Sequence, residues 1–356
     1  MDNLRLKNLP RKILIVKPSS LGDVVHSLPF LNAMKTCFPG AEIHWVIAKG
    51  LEGLLDGNPM IERLWIIHKD SWKKINNAKD TVTEIKNLFK DLKKEQFDLV
   101  IDLQGLFRSG VITKASGAPV RIGFKEAREG SRFFYTHKVA GGKDVHAVDR
   151  YLKIARFLGC DVSDFYFPFA PALSLSSLST QNSKFNIREP YDVIVPGARW
   201  KTKRWPPGKF GELASRLPVQ SVIVGSKSDK DVADEIVSLS NGKAVSLAGK
   251  TSLKELIAVM RKAKFVVSND SGPMHIAAAL GIPVYAIFGP TDPRRTGPYG
   301  EGHTIIRAEM PCAPCLKKKC DDMRCMNGLS AERVYEIIRI NLSSSLRGQW
   351  LSSRSS

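Results

Sequence analysis

The chain has 356 residues, 43% of them hydrophobic, which is enough for two domains with separate cores and excludes a disordered or fibrous protein. Its formal net charge of +19 implies an acidic partner: nucleic acid, an anionic membrane surface or a phosphorylated substrate. Met1 to Arg11 is charged and has no apolar core before a cleavage site, so a cytosolic protein is expected, and the longest uncharged stretch, Ser271 to Thr291, is too broken by glycine and proline to span a bilayer.

Ile13 to Val16 reads as a short buried strand, and Lys17-Pro18-Ser19-Ser20-Leu21-Gly22-Asp23 as the turn that feeds the next helix. Asp23 sits at that strand's carboxyl end, where it either caps the helix or does chemistry. Val24 to Cys37 reads as one helix with Pro29 in an early turn, ended by Pro39-Gly40. Strands follow at Glu42 to Ile47 and Leu64 to Ile67, and Asp80 to Lys94 has apolar residues at helical spacing. Phe97 to Leu103 is a further buried strand, ending in a second polar cluster at Asp102, Gln104 and Gly105. From Pro119 to Val139 basic residues recur, which reads as a solvated loop or, taken together, an anion surface. His146 to Leu158 closes this half as a helix, and the Ser/Thr/Asn/Pro-rich stretch from Phe169 to Pro190 reads as a linker.

A second alternating set follows. Strands are expected at Asp192 to Val195, Gln220 to Val224, Lys243 to Ser246, Phe265 to Ser268 and Val284 to Phe288. Helices are expected at Pro207 to Arg216, Asp229 to Ser240, Leu253 to Lys262, Pro273 to Leu280 and Ala331 to Asn341. Alternation of this kind makes parallel sheets, and two such sheets joined by a linker imply a ligand-binding cleft between domains.

Three motifs carry chemistry. Ser268-Asn269-Asp270-Ser271-Gly272-Pro273-Met274-His275 ends a strand and opens a helix whose free N–H groups suit a diphosphate, while Asp270 suits sugar hydroxyls; the plain alternative is a cap with a buried histidine. Pro196 to Pro206 holds four cations, Arg199, Lys201, Lys203 and Arg204, beside Trp200 and Trp205, a set able to stabilise charge on a leaving phosphate. Cys312, Cys315, Cys320 and Cys325 could hold zinc, form labile disulfides or do neither, since only the first two have the spacing of a knuckle pair. Cys37 and Cys160 stand alone and read as small core residues. Neither a Gly-x-x-x-x-Gly-Lys-Ser/Thr loop nor a three-glycine dinucleotide turn occurs, which argues against ATP hydrolysis and hydride transfer.

Taken together, Lys17 to Pro29, Lys203-Arg204-Trp205-Pro206, Asn269 to His275 and Phe288-Gly289-Pro290-Thr291-Asp292-Pro293 resemble the ADP-heptose:lipopolysaccharide heptosyltransferases of glycosyltransferase family 9. The opening motif looks more like the type I enzymes, and the cysteine-rich segment followed by Met326-Asn327 more like type II. The resemblance implies an α/β GT-B glycosyltransferase with two Rossmann-like domains and an interdomain cleft. Residues 1–170 would bind the acceptor, 171–190 link, 191–328 bind ADP-heptose, 329–342 form a helix returning to the first domain and 343–356 a disordered tail. It further implies inverting transfer without metal or cofactor, with Asp23 as catalytic base and Lys203 steadying the donor phosphates. Asp270, Ser271, Gly272 and His275 would form the donor loop with Arg199 nearby, and Asp229 would hold the adenosine ribose. Lys73 and Lys74, beside Trp72, and Arg128 would bind the anionic acceptor, although Lys69-Asp70-Ser71 replaces the family's arginine-rich stretch.

The partners that follow are ADP-heptose, Kdo-lipid A or a related lipopolysaccharide acceptor, and the inner face of the cytoplasmic membrane. Alternatives are a type II acceptor or another nucleotide sugar. A nucleic-acid partner would also suit the charge, but no RNA- or DNA-binding motif or exposed stacking series accompanies it.

Overall fold

The computed structural model describes residue 4 and residues 6–68, 78–170 and 187–352. The chain divides into two compact units, Met1–Ala172 and Leu173–Ser356. The expected acceptor residues Trp72, Lys73 and Lys74, and most of the expected linker, lie outside the described residues.

The first unit runs β1 (Lys12–Val16), α1 (Leu21–His26), α2 (Leu28–Cys37), β2 (Glu42–Ala48), β3 (Arg63–Ile67), α3 (Ala78–Lys94), β4 (Leu99–Asp102), α4 (Phe107–Ala115), β5 (Val120–Phe124), β6 (His137–Val139) and α5 (Ala147–Phe157). Its strands form one parallel sheet in the order β3-β2-β1-β4-β5-β6. Helices on both faces leave the central strands without contact with water, so Ile13, Leu14, Ile15 and Val16 are all fully buried.

The second unit runs β7 (Tyr191–Val195), α6 (Pro207–Arg216), β8 (Gln220–Ile223), α7 (Lys230–Leu239), β9 (Ala244–Ser246), α8 (Leu253–Arg261), β10 (Val266–Asn269), α9 (Gly272–Ala279), β11 (Val284–Ile287), α10 (Pro293–Thr296), β12 (Thr304–Ile306), α11 (Arg324–Asn327) and α12 (Ala331–Ser352). Its parallel sheet has the order β12-β11-β10-β7-β8-β9, which from the other edge is the same pattern as the first. Each unit is therefore a Rossmann-like sheet whose strand order reverses once, between β1 and β4 and between β7 and β10. Ala331, Val334 and Ile338 of α12 join Trp205, Phe210 and Leu213 in the core of the second unit. The helix runs past Asn341 to Ser352, with no proline in between to end it.

Local structure departs from the sequence expectations in several places. The single helix expected from Val24 to Cys37 is two, α1 and α2, broken at Ser27. Pro29 has no N–H to give Val25 O, and the Ser27 N–H and hydroxyl both turn back to Val24 O, at 3.1 and 2.7 Å. The stretch 119–139, read as a solvated loop or an anion surface, is not all loop, since it holds β5 and β6. Arg121 there is partly structural: its guanidinium donates to Phe134 O at 2.9 Å and Ala118 O at 2.6 Å. Cys37 and Cys160, expected as separate core thiols, are joined in a disulfide with their Cα atoms 5.3 Å apart. Among the described residues no helix is long and apolar enough to cross a membrane.

Gly123 on β5 lies directly under the Tyr135 ring, where an added Cβ would overlap the ring atoms. Gly123→Ala is expected to destabilise the protein by about 1–3 kcal/mol, read as a lower urea midpoint at unchanged slope. His44, 3% exposed on β2, accepts a hydrogen bond at Nδ1 from Trp65 Nε1 at 3.2 Å, while its buried Nε2 meets no partner among the described residues. Burial holds this imidazole below its usual range. The unfolded chain therefore binds the proton more readily, and the associated stability is present above pH 6.5 and falls as pH drops through it. His44→Gln, which keeps an acceptor for Trp65, is expected to lose less stability than wild type between about pH 7 and 5.5, as followed by thermal melts.

Candidate active site

At the carboxyl edge of the first sheet, the β1–α1 turn carries Asp23. Ser20 is the N-cap of α1, and its backbone N–H and hydroxyl both donate to Asp23 Oδ2, at 2.9 and 2.7 Å. Capping is therefore a real part of what Asp23 does. It also fixes a half-buried carboxylate in the first turn of a helix, where the helix dipole favours negative charge. A carboxylate so held is a proton acceptor in a set position.

Around it the edge is cross-tied. Ser19 N donates to Gln104 Oε1 at 3.3 Å, linking the β1 turn to the β4 turn, and Arg128 N donates to Gly105 O at 2.9 Å, bringing the β5 loop alongside. Arg128 itself is exposed at that edge. Asp102, read from sequence as part of a second polar cluster, is fully buried and serves the backbone. It accepts from Gln104 N at 2.8 Å, Gly105 N at 3.0 Å and the Tyr135 hydroxyl at 2.7 Å. Burial pushes its carboxyl above the usual range, and those hydrogen bonds only partly offset the shift.

Lys17, which follows β1, was not singled out by sequence for any role. It is 3% exposed, donates to Leu103 O at 3.2 Å and lies 5.1 Å from the centre of the Tyr151 ring. Burial alone would lower its ammonium, but Tyr151, Asp23 and Asp102 outweigh it and hold Lys17 above the usual lysine range. A permanent positive charge is thus buried beneath the Asp23 turn. A surface cavity lined by Arg11, Cys37, Phe38 and Asp98 lies instead at the strands' opposite ends and contains none of these groups.

The second sheet presents its own edge. The loop after β7 and the loop after β10 are tied together by Asn269, which is fully buried. Its Nδ2 donates to Pro196 O at 2.7 Å, and its Oδ1 accepts from Trp205 N at 3.1 Å, so one amide grips both ends of the cationic loop. Trp205, 1% exposed, anchors that loop in the core and donates from Nε1 to Leu329 O at 3.0 Å. Between these anchors Lys203 Nζ meets Asp270 Oδ2 at 2.6 Å, and the Thr291 hydroxyl donates to the same oxygen at 2.6 Å. The pair is largely buried, with the two side chains 17% and 5% exposed, so each charge compensates the desolvation of the other. Lys203 Nζ also lies 4.8 Å from the Trp200 ring centre.

Ser271 is the N-cap of α9, and Gly272 and Pro273 open that helix, so its first-turn N–H groups lack acceptors within their own helix. His275 is 7% exposed on α9. Asp229 is buried and, like Asp23, takes both the N–H and the hydroxyl of a preceding N-cap serine on Oδ2: Ser226 at 2.9 and 2.6 Å. It lies against the Lys203 loop, since a Cβ on Gly197 would come within 2.9 Å of its carboxylate. Arg199 is exposed on that loop, whereas Arg204 turns inward and donates to Ala198 O at 2.8 Å.

Asn269 and Thr291, which bond to groups of the candidate site, stand within motifs of the sequence to which no task was given there. The signal for each was its position directly at or after a buried strand's carboxyl end. The four clustered cysteines are not disulfide-bonded, and no group of three or more His, Cys, Asp or Glu side chains among the described residues is arranged to hold a metal ion. Their segment instead braces the site: Leu316 N donates to Pro290 O at 2.8 Å, and Thr202 Oγ1 donates to Lys317 O at 2.9 Å.

Asn269→Ala, which removes two buried hydrogen bonds at once, is expected to cost about 2–3 kcal/mol in urea denaturation. A loss below about 0.5 kcal/mol would mean the loops are held by something else.

Comparison with known proteins gives a single answer. Residues 85–325 match the family described as Glycosyltransferase family 9 (heptosyltransferase). The chain is 33% identical over 324 residues to lipopolysaccharide heptosyltransferase 1 of Pseudomonas aeruginosa, covering 87% of each protein. It is similar in structure to E. coli heptosyltransferase WaaC with ADP, with a TM-score of 0.74 and 27% identity over 93% of this chain and 99% of that one. A glycosyl transferase family 9 protein from Veillonella parvula shares the fold, with a TM-score of 0.78 at 24% identity over 94% of this chain and 97% of that one.

Proposed function

The chain belongs to glycosyltransferase family 9, the heptosyltransferases, with the GT-B fold, and from that premise we propose that it transfers heptose from ADP-heptose to the Kdo-lipid A inner core of lipopolysaccharide. The observation that carries this reading is the Lys203–Asp270–Thr291 cluster at the strand-order reversal of the second sheet. It sets a cation, helix N–H groups and a carboxylate within one small site, which is what a nucleotide diphosphate joined to a sugar requires. The 33% identity to a heptosyltransferase 1 favours the first heptose addition over the second.

In the reaction proposed, an acceptor hydroxyl oxygen attacks the anomeric carbon of the donor heptose. Asp23 takes the hydroxyl proton as the new C–O bond forms, because a sugar hydroxyl is a poor nucleophile at neutral pH. The bond between the anomeric carbon and the β-phosphate oxygen breaks on the opposite side, and its electron pair leaves with ADP. Configuration at that carbon is inverted in the single step. Negative charge gathering on the ADP oxygens is met by Lys203 and the first N–H groups of α9. Asp270 accepts hydrogen bonds from the heptose hydroxyls and holds Lys203 in place until the phosphates arrive. Ser271, Gly272 and His275 complete that loop, Asp229 takes the ribose, and Arg199 stands at its rim. Lys73, Lys74 and Arg128 bind the acceptor's carboxylates and phosphates. The enzyme works at the cytoplasmic face of the inner membrane, where the acceptor lipid is presented.

Asp23→Asn, which keeps an acceptor for Ser20, is expected to lower kcat by about 10²–10⁴-fold with little change in donor KM. A rate within about twofold of wild type would remove Asp23 from the base role. Lys203→Met is expected to cost about 10²–10³-fold in kcat. ADP-heptose is expected to raise the melting temperature and UDP-glucose to leave it unchanged. Mass spectrometry of lipopolysaccharide from a deletion strain decides the acceptor. Truncation at Kdo supports addition of the first heptose, and retention of one heptose would reassign the chain to the second.

A further inference from the structure

Among the described residues, two large apolar side chains stand exposed on adjoining segments of the first unit. Phe107 is 52% exposed and Phe133 is 73% exposed. Phe107 opens α4 immediately after the β4 turn, and its ring meets Phe134 edge-on at 5.8 Å. Phe133 follows a tight turn in which Glu129 and Gly130 both adopt positive φ, 55° and 75°. The two segments are locked together: Phe107 N donates to Glu129 Oε2 at 3.1 Å, and an added Cβ on Gly110 would reach 2.5 Å from the Phe134 ring. The exposure is therefore built into a rigid ridge rather than left by loose packing.

The ridge is also basic. The Arg132 guanidinium lies 5.1 Å from the centre of the Phe133 ring, Arg108 follows Phe107 on α4 and is exposed, and Lys125 is exposed just after β5. The nearby Glu129 carboxylate is engaged by the Phe107 N–H. Aromatic rings that stand in water beside arginines match a bilayer interface, where the rings enter the acyl boundary and the guanidinium groups meet lipid phosphates. Arg128, one residue before Glu129, is tied to Gly105 next to the Asp23 turn, so the ridge borders the edge that carries the proposed base.

We propose that Phe107, Phe133 and Arg132 form a docking face for an anionic phospholipid bilayer, seating the first unit with its Asp23 edge close to the lipid surface. The proposal rests on the reading of the acceptor as a membrane lipid, and it commits to the bilayer itself rather than the acceptor's sugars as the occupant. Charge complementarity supports that choice, since the protein carries +19 and Arg132 lies beside the exposed Phe133 ring.

The test uses the full chain with vesicles of phosphatidylcholine alone or with about 30% phosphatidylglycerol. Wild type is expected to co-sediment with the anionic vesicles, less so as salt rises, and to leave neutral ones in solution. The double variant Phe107→Ser, Phe133→Ser and the single variant Arg132→Gln are each expected to bind anionic vesicles about tenfold more weakly at unchanged melting temperature. With a deacylated, water-soluble acceptor both should keep wild-type rates, while with acceptor embedded in anionic vesicles their rates should fall about tenfold. Undiminished vesicle binding by the double variant would overturn the proposal. Equal loss on the soluble acceptor would assign the ridge to the acceptor site instead, and a wild-type dimer that the substitutions dissociate would make it a self-association face. If wild type binds the vesicles through the ridge but transfers heptose to neither acceptor, the docking face stands and the functional reading fails.

Discussion

A parallel sheet whose strand order reverses in the middle sends consecutive connections to opposite faces, and the gap this leaves at the carboxyl edge is the constraint on which the rest of this protein depends. It occurs twice, between β1 and β4 and between β7 and β10. Asp23, Lys203 and Asp270, the groups to which the proposed reaction gives the main tasks, lie in turns that leave these edges. Because the central strands are buried on both faces, they mainly set position, and the turns after them carry the groups of the proposed reaction.

The two edges solve a shared problem differently. In the second unit, opposite charges neutralise each other in advance: Lys203 and Asp270 are paired at 2.6 Å and share Thr291 as a third partner. A cation stored in this way is already desolvated and oriented, so in the proposed reaction little reorganisation is left for binding a phosphate. In the first unit the charge balance is spread more widely. Lys17 lies buried beneath the turn, Asp102 is spent on backbone N–H groups and a tyrosine, and Asp23 is left at the rim. Buried polar residues such as Asp102 and Asn269 serve to keep these turns in one conformation.

Much of this was legible in sequence, for a physical reason. Buried parallel strands are continuous apolar runs, so β1, β7 and β10 stood out, and the turns after them named Asp23, the Lys203 loop and Asp270. What stayed hidden involved contacts between distant segments. Cys37 and Cys160 are 123 residues apart, and no spacing rule joins them. Phe107 to Ala115 has no apolar stripe at helical spacing, so α4 was missed, and the arginines and lysines of 119–139 masked two short edge-side strands. Asn269 was read as part of a motif, whereas its work is to hold together loops that lie 64 and 73 residues away.

The serine–aspartate box recurs in both halves, with Ser20 and Asp23 after β1 and Ser226 and Asp229 after β8. Its consequence is a matter of freedom of motion. A carboxylate that takes two hydrogen bonds on one oxygen from its own helix cap has its side-chain torsions set before any ligand enters, so it cannot swing to follow a misplaced hydroxyl. In the proposed reaction the acceptor must therefore bring its nucleophilic oxygen to a base of set position, which makes selectivity among near-identical sugar hydroxyls a property of a fixed reference point rather than of an adaptable pocket.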